Sequence, residues 1–297
     1  MKVSIIVPIY GVERYIECCA ESVLSQTWPD IQFIFVDDGT PDRSVEILEA
    51  LIDKRFAHLK DRITIIHKEN GGLPQARLSG LKVATGDFVM HVDSDDWVET
   101  DMVERLVRKA EETGADIVYH YVCKENDVIK VHIAKDPAFK EPVDFGKAIM
   151  KRTAHGYLVS KFIRRSLYTD SLFYPTLSMH EDMILSTQIL SYAKKAVLYP
   201  IAPYHYRRDN PDAMTRGKRA KRHTLSARNF LAMYKYYNGF VDCDEELKWL
   251  RGPVLDYCTT EFLKYDKASL PEVRDAFLTL PLTLKRLFLR IKLSYTR

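Results

Sequence analysis

The chain has no uninterrupted apolar stretch approaching the roughly 20 residues that a membrane-spanning helix needs, so a soluble or peripheral protein is expected. Cysteine is scarce. Only Cys18, Cys19, Cys123, Cys243 and Cys258 occur, an odd number, and no pair has metal-ligand spacing. That pattern fits a reducing compartment, with the thiols as ordinary small residues, and points to the cytoplasm. Glycine is sparse too, and its positions match neither the phosphate loop of nucleoside triphosphatases nor the dinucleotide fingerprint. Net charge is small: 44 basic residues nearly cancel 41 acidic ones. The total therefore makes no case for nucleic acid, and where the charges sit matters more. Repeats and low-complexity tracts are absent. The opening Met-Lys-Val-Ser-Ile-Ile-Val-Pro carries one charge before a short apolar run that stops at Pro8, which reads as a first strand rather than a signal peptide.

What is present is a chain of 297 residues, 46% hydrophobic, enough to bury a large core. Such a length suits one large α/β domain, alone or with an appended region. Over residues 1–121, short apolar runs alternate with helical spacing. The runs are Val3–Pro8, Ile31–Val36, Ile63–His67, Phe88–Val92 and Ala115–Val122. The helical stretches are Val12–Gln26, Ser44–Leu59, Leu73–Val83 and Asp101–Glu112. This alternation predicts an α/β fold with a mainly parallel twisted sheet sandwiched by helices. Later elements are expected at Val128–Ile133 (strand), Val143–Arg152 (helix), Tyr157–Ile163 (strand), Glu181–Tyr192 (helix), Ala196–Tyr199 (short strand), Arg219–Asn238, Glu245–Lys264 and Pro281–Leu293 (helices). The expected organisation is a catalytic domain over 1–215, with a nucleotide-binding half (1–121) and an acceptor half (122–215), followed by a C-terminal helical extension over 216–297.

In a parallel sheet, ligands bind beyond the carboxyl ends of the strands. Four polar or glycine-rich clusters fall at such ends: Pro8-Ile9-Tyr10, Asp37-Asp38-Gly39, Lys68-Glu69-Asn70-Gly71-Gly72 and Asp93-Ser94-Asp95-Asp96. They suggest one cleft on one edge. In an extended segment, residues two apart share a side, so Asp93 and Asp95 present two carboxylates to one space. Such oxygens suit a hard divalent ion, Mn²⁺ or Mg²⁺, which in turn binds a diphosphate. The plainer alternative is a turn or helix start, with Asp96 as a cap. Asp38 could accept hydrogen bonds from a base or ribose, or belong to an Asp-Gly turn. Asn70-Gly71-Gly72 allows close backbone approach to a ligand, or is an ordinary loop before the helix carrying Arg77.

Taken together these segments resemble the family 2 glycosyltransferases. The match runs through Val3–Tyr10, Ser22–Thr27, Val36–Thr40, Asn70–Arg77, Gly86-Asp87 and Asp93–Trp97, in the family's order and spacing, and covers residues 1 to about 210. The resemblance implies the nucleotide-diphospho-sugar transferase fold with one Asp-X-Asp site. It implies that Pro8, Ile9 and Tyr10 line the nucleotide base, that Asp38 reads its ring nitrogen, and that Asp93 with Ser94 sits near the ribose. Asp95, beside Asp93, would ligate the metal, and Arg77 would lie near the pyrophosphate or uracil. In His180-Glu181-Asp182, Asp182 matches the family's catalytic base. An acceptor hydroxyl must lose its proton as it attacks the anomeric carbon, so a carboxylate within reach is required. Glu181 is the alternative base or an acceptor-positioning group, and both acids also suit a helix N-terminus. His180 reads as a neighbour, not a metal ligand.

Residues 204–222 hold seven Arg or Lys and two Asp. By the resemblance, His205 and Arg207 lie near the donor diphosphate, where a cation stabilises the departing charge. The stretch Arg216–Arg222 reads as a solvated or membrane-facing surface. From Leu280 to Leu293, Leu, Ile and Phe mix with four cations and no anions. This is either a packing helix with a solvated face or a helix that lies in an anionic membrane surface.

The resulting expectation is a metal-dependent, inverting transferase, with a UDP-sugar as donor and a glycan or polyprenyl-linked glycan as acceptor. It would be cytoplasmic, and peripheral on the inner face of the plasma membrane if the tail is an anchor. A sugar nucleotidyltransferase is disfavoured, because no glycine-rich basic loop follows the first strand. A non-catalytic nucleotide-sugar or glycan-binding relative is the alternative. Nucleic-acid binding is not expected, since the basic patch lacks a recognition motif and interleaved aromatics.

Overall fold

The expected alternation leads into a sheet of two characters. The computed structural model describes residues 1–125, 132–208, 210, 211 and 219–294. Strands β1 (Val3–Ile9), β2 (Ile31–Asp37), β3 (Ile63–His67) and β4 (Phe88–His91) lie parallel, in the order β3-β2-β1-β4. β1 is buried along its whole length, so it reads as a continuous apolar run rather than an alternating one. Pleating nevertheless sorts its side chains. Val3, Ile5, Val7 and Ile9 join the core formed with helices α1 (Ile16–Leu24) and α2 (Ser44–Arg55), while Ile6 meets Ala76 of α3 (Leu73–Val83) on the other face. α1 starts later than its spacing suggests, because Gly11 takes a positive φ of 66° and Ser44 Oγ holds the Val12 amide. α2 stops at Arg55, and Ala57–Arg62 continues as a tight 3₁₀ turn.

Beyond β4 the pairing changes. The later elements are β5 (Trp97–Val98), α4 (Met102–Thr113), β6 (Ile117–Glu125), β7 (His132–Ala134), α5 (Pro142–Met150), β8 (Lys161–Arg164), α6 (Glu181–Tyr192) and β9 (Ala196–Arg207). The sheet continues β4-β8-β6-β9-β5, with β7 against β6. β6 and β9 are parallel; β8 runs antiparallel to β4 and β6, and β5 antiparallel to β9. The sheet is thus parallel in its first half and mixed in its second. Most of the strand expected at Val128–Ile133 lies outside the described residues, as do residues 216–218 of the basic stretch Arg216–Arg222.

β9 is far longer than the four residues expected. Pro200 and Pro203 cannot donate to a ladder, and they sit where the register with β6 slips between His120 and Val122. Past that irregularity the strand resumes and pairs Tyr204 and His205 with Val98 and Trp97. The slip thereby delivers the end of β9 to the acidic loop after β4.

At the opposite end of these strands, just before β4, Gly86 leaves no room for a side chain. A Cβ there would meet Ser4 N at 2.5 Å and Phe88 O at 2.8 Å, while the Gly86 amide donates to Ser4 Oγ. We expect Gly86→Ala to lose about 3 kcal/mol, read as a lower urea midpoint at unchanged slope. An unchanged midpoint would show that the strands move apart freely there.

The C-terminal segment consists of α7 (Arg219–Tyr236), α8 (Arg251–Tyr265), α9 (Pro271–Leu278) and α10 (Leu284–Ser294). α8 begins six residues late, after a 3₁₀ stretch at Glu245–Leu250, with Pro253 in its first turn. The division expected near residue 215 does not divide the packing. One core runs from Ile117, Tyr119, Phe145 and Ile184 through Phe230, Phe262 and Phe277 to Leu293. The helices after 219 therefore complete the same core as residues 117–196.

Candidate active site

Two cavities meet at the carboxyl ends of the strands. The first, about 410 Å³, is lined by Pro8, Ile9, Tyr10, Asp38, Asn70, Gly72, Asp93, Ser94, Asp95 and Asn210 among others. The second, about 570 Å³, is lined by Arg77, Asp93, Lys124, Tyr157, Glu181, Asp182, Tyr206 and Arg208 among others. Leu73, Asp93 and Ser178 line both. Seven of the sequence-derived residues thus stand around the first space (Pro8, Ile9, Tyr10, Asp38, Asp93, Ser94, Asp95), and Arg77, Glu181 and Asp182 join Asp93 around the second. Tyr10 is 52% exposed at the mouth of the first cavity rather than packed into the core.

Each acid is held by a separate element. Asp38 is buried at the end of β2, where its oxygens accept from the amides of Gly71 (3.0 Å) and Gly72 (2.7 Å) and from Lys68 Nζ. Those bonds fold the glycine loop over the first cavity, and Gly72 takes a φ of 82° to enter α3. Asp95 Oδ2 accepts from Asn210 Nδ2 at 2.8 Å. Burial and the neighbouring charge of Asp93 hold the Asp95 carboxyl above its ordinary range. Asp96 is not a helix cap. It is buried and accepts from Tyr204 Oη (2.6 Å) and the Arg207 amide (2.8 Å), so it pins β9 against the loop. Tyr204 Oη in turn accepts from the Asp93 amide at 3.1 Å.

Arg77 is the hub. It is buried on α3 and reaches Asp93 Oδ1 at 2.6 Å with one terminal nitrogen. The other bonds Asp182 Oδ1 and lies 3.6 Å from Glu181 Oε1. Burial opposes its charge, but Asp182, Asp93 and Glu181 outweigh that and hold the proton more firmly than usual. The guanidinium is thus engaged with three acidic side chains. Asp182 Oδ2 also accepts the Leu158 amide at 3.1 Å. The loop carrying that amide is fastened by Lys161, a buried ammonium that donates to the carbonyls of His155 (3.1 Å) and Tyr157 (2.7 Å).

Burial and the charge of Asp182 push Glu181 up to about 8, with Arg77 pulling the other way. Near neutrality Glu181 keeps its proton. Its folded value lies above its unfolded one, so the folded state binds that proton more tightly, and stability falls as pH rises from about 4.5 to about 8. Glu181→Gln mimics the protonated form and is expected to gain on the native chain by about 4 kcal/mol between pH 5 and pH 9. Urea unfolding across that range checks it; a constant difference would place the ionised form in the folded state. His180, with a φ of 56°, bonds Ser226 Oγ through Nδ1 at 2.6 Å and stands as a neighbour of the site.

Two residues of the 204–207 segment stand outside the lining of both cavities. His205 stacks on Trp97, ring centroids 3.5 Å apart, and its Nε2 lies 3.7 Å from Glu99. Arg207 lies over the Tyr15 ring and donates from Nε to the Asp95 carbonyl. Neither lines either cavity, whereas Tyr206 and Arg208 line the second. The reason is the pleat: residues two apart share a face, so a shift of one exchanges them. Sequence reasoning also missed Ser178, Tyr157, Lys161 and the hub role of Arg77. No local signal marks these, although Tyr204 and Asn210 fall within the basic segment already singled out.

Among the described residues no three His, Cys, Asp or Glu side chains form a metal cage. A hard cation bound largely by a diphosphate needs only one or two carboxylates. Asp95 fits that need, since it is a crowded carboxylate whose charge a cation would relieve. Asp93, already paired with Arg77, is the weaker candidate.

A mixed sheet with helices on its faces and an acid-lined cavity at its strand ends is the architecture of the nucleotide-sugar transferases. The Staphylococcus aureus protein TarS, solved in complex with UDP-GlcNAc, superposes with a TM-score of 0.65 over 95% of this chain and 77% of that one, at 20% identity. The mannosyltransferase PcManGT of Pyrobaculum calidifontis, in complex with GDP-Man and Mn²⁺, gives 0.53 over 99% of this chain and 80% of that one, at 17% identity. Residues 4–162 match the family model described as glycosyl transferase family 2, and the chain belongs to that family. Among curated relatives, the putative glycosyltransferase EpsH of Bacillus subtilis is 32% identical over 212 residues, 69% of this chain and 60% of EpsH. The chain spans less than two thirds of the first curated relatives it matches. No helix among the described residues is long and apolar enough to cross a membrane.

Proposed function

We propose that the chain transfers a sugar, with inversion, from a UDP-sugar to a hydroxyl of a glycan or polyprenyl-linked glycan in the cytoplasm. One observation carries the proposal: the donor-sized and acceptor-sized cavities share Asp93, and each has its own carboxylate, Asp95 on one side and Asp182 on the other. In this reading Pro8, Ile9, Tyr10 and Asp38 take the uridine, with the Tyr10 ring stacking on the base. Asp93 and Ser94 border the ribose. Asp95 holds Mn²⁺ or Mg²⁺ together with the diphosphate. When bound, such an ion neutralises the charge that develops on the departing nucleotide. TarS with UDP-GlcNAc supports the uridine donor, and PcManGT with Mn²⁺ supports the ion.

Asp182 is the base. It takes the acceptor's proton as the oxygen attacks the anomeric carbon opposite the leaving diphosphate. Arg77 and the Leu158 amide fix its orientation. Glu181, protonated near neutrality, is unsuited to the task.

A screen of nucleotide sugars with Mn²⁺, scored by donor hydrolysis and thermal shift, tests the reading. A UDP-sugar should stand out; no response to any nucleotide diphosphate would overturn it, and binding without turnover would leave a non-catalytic relative. Asp95→Ala should lower metal-dependent UDP affinity by about a hundredfold, as calorimetry with and without chelator would show. Unchanged metal dependence would move the ion elsewhere.

A further inference from the structure

Helix α10 carries two apolar stripes, and the fold uses only one. Arg286, Leu289, Arg290 and Leu293 follow the spacing of one helix face. Leu289 and Leu293 are buried in the second core. Arg286 Nε and Nη2 bond both oxygens of Asp256 on α8, at 2.8 and 3.0 Å. Arg290 donates to the carbonyls of Leu278 and Leu280. This face is complete.

The opposite stripe is Leu287, Phe288 and Ile291, again at helical spacing. With Leu282, just before the helix, these side chains are between 43% and 60% exposed. Nine large hydrophobic side chains are exposed among the described residues, and five of them fall between Leu278 and Ile291. That concentration is what distinguishes an interaction surface from scattered apolar exposure.

The charge around the stripe selects the partner. Residues 278–294 contain no Asp or Glu. With Arg286 and Arg290 turned inward, the exposed cations are Lys285 and Lys292, which share one edge of the stripe, and Lys292 Nζ lies 4.5 Å from the Phe288 ring. Apolar side chains bordered by lysines at the same level are the arrangement that seats a helix in the headgroup region of an anionic bilayer. We infer that the outer stripe of α10 docks the chain on an anionic lipid surface. The tail is thus both alternatives read from its sequence, a packing helix on one face and a membrane-facing one on the other. The docking face is also coupled to the second cavity through α8. Asp256 anchors α10, and the next residue, Tyr257, bonds Arg152 and stands beside His180.

The test is flotation of the full chain with vesicles of phosphatidylglycerol and phosphatidylcholine in equal parts, against phosphatidylcholine alone. The chain should float with the first and not the second. Phe288→Ser with Ile291→Ser should lower partitioning about thirtyfold, and Lys285→Glu with Lys292→Glu by a similar factor or more. All four positions are exposed, so the thermal midpoint and donor hydrolysis should not change, which separates this inference from the donor chemistry. Failure to float with phosphatidylglycerol, or equal partitioning by the variants, would overturn it. Self-association in sedimentation that the Phe288 and Ile291 changes abolish would assign the stripe to a second copy and overturn the bilayer as partner.

Discussion

Asp182→Asn should bind UDP within about twofold of the native chain yet transfer sugar about a thousandfold more slowly. The substitution keeps the shape of the side chain. It also keeps an oxygen for the Leu158 amide, so the loop from His155 to Leu158 should stay in place. What it removes is the capacity to accept a proton in the second cavity. Single-turnover transfer and calorimetric UDP binding measure the two quantities separately. The split between them is the informative part, because a merely structural change would damage both. Equal transfer rates would move the base to another group. Loss of binding in step with transfer would show that the variant had disturbed Arg77 and, through it, Asp93.

Arg77→Met is expected to be the most destabilising single change at the site. Asp93, Glu181 and Asp182 would remain gathered with no cation among them, and breaking a buried ion pair by removing one partner typically costs about 3 to 5 kcal/mol. The sign of the pH dependence follows from charge. Without the guanidinium the carboxylates hold their protons more tightly in the folded state than in the unfolded one, so the variant's stability falls as pH rises. The gap to the native chain should therefore narrow as pH is lowered toward 5, and urea unfolding at two pH values would show it. Arg77→Lys should recover little, since an ammonium is a point charge and cannot reach in two directions as the planar fork does. A gap independent of pH would mean that the carboxylates separate once the arginine is gone.

These two expectations rest on features that differed in how readable they were. The first four strands were plain as short apolar runs, unbroken in β1 and β4 because those are buried on both faces, and Leu73–Val83 and Glu181–Tyr192 were bounded correctly by spacing and start signals. The cavity was readable from topology: polar clusters at four consecutive strand ends must share an edge once the strands are parallel, and Pro8, Tyr10, Asp38, Asp93 and Asp95 do line one space.

The second half was harder for physical reasons. Two prolines hid most of β9, since a strand with missing donors reads as a loop until a register slip absorbs them. Which side chains of this segment line a cavity depends on the pleat, and Tyr206 and Arg208 line the second one where His205 and Arg207 do not. The part played by Arg77 could not be read locally. A buried arginine is expensive in isolation, and only the tertiary structure brings Asp93 from a strand end and Asp182 from a helix start to its two sides. Likewise the tail's composition admitted two readings because it holds two stripes, and the fold was needed to show which cations face inward.

The core that runs from Ile117 to Leu293 bears on any attempt to trim the chain. A fragment ending at the apparent motif boundary would strip the cover from Phe145, Ile184 and Leu190 and lay them open to water. Such a fragment would retain every carboxylate that lines the two cavities and still be a poor enzyme, being prone to clump before it could bind anything. The half that carries Asp182 is therefore only as durable as the helices that share its core, and shortened versions made for expression should keep the whole run through Ser294.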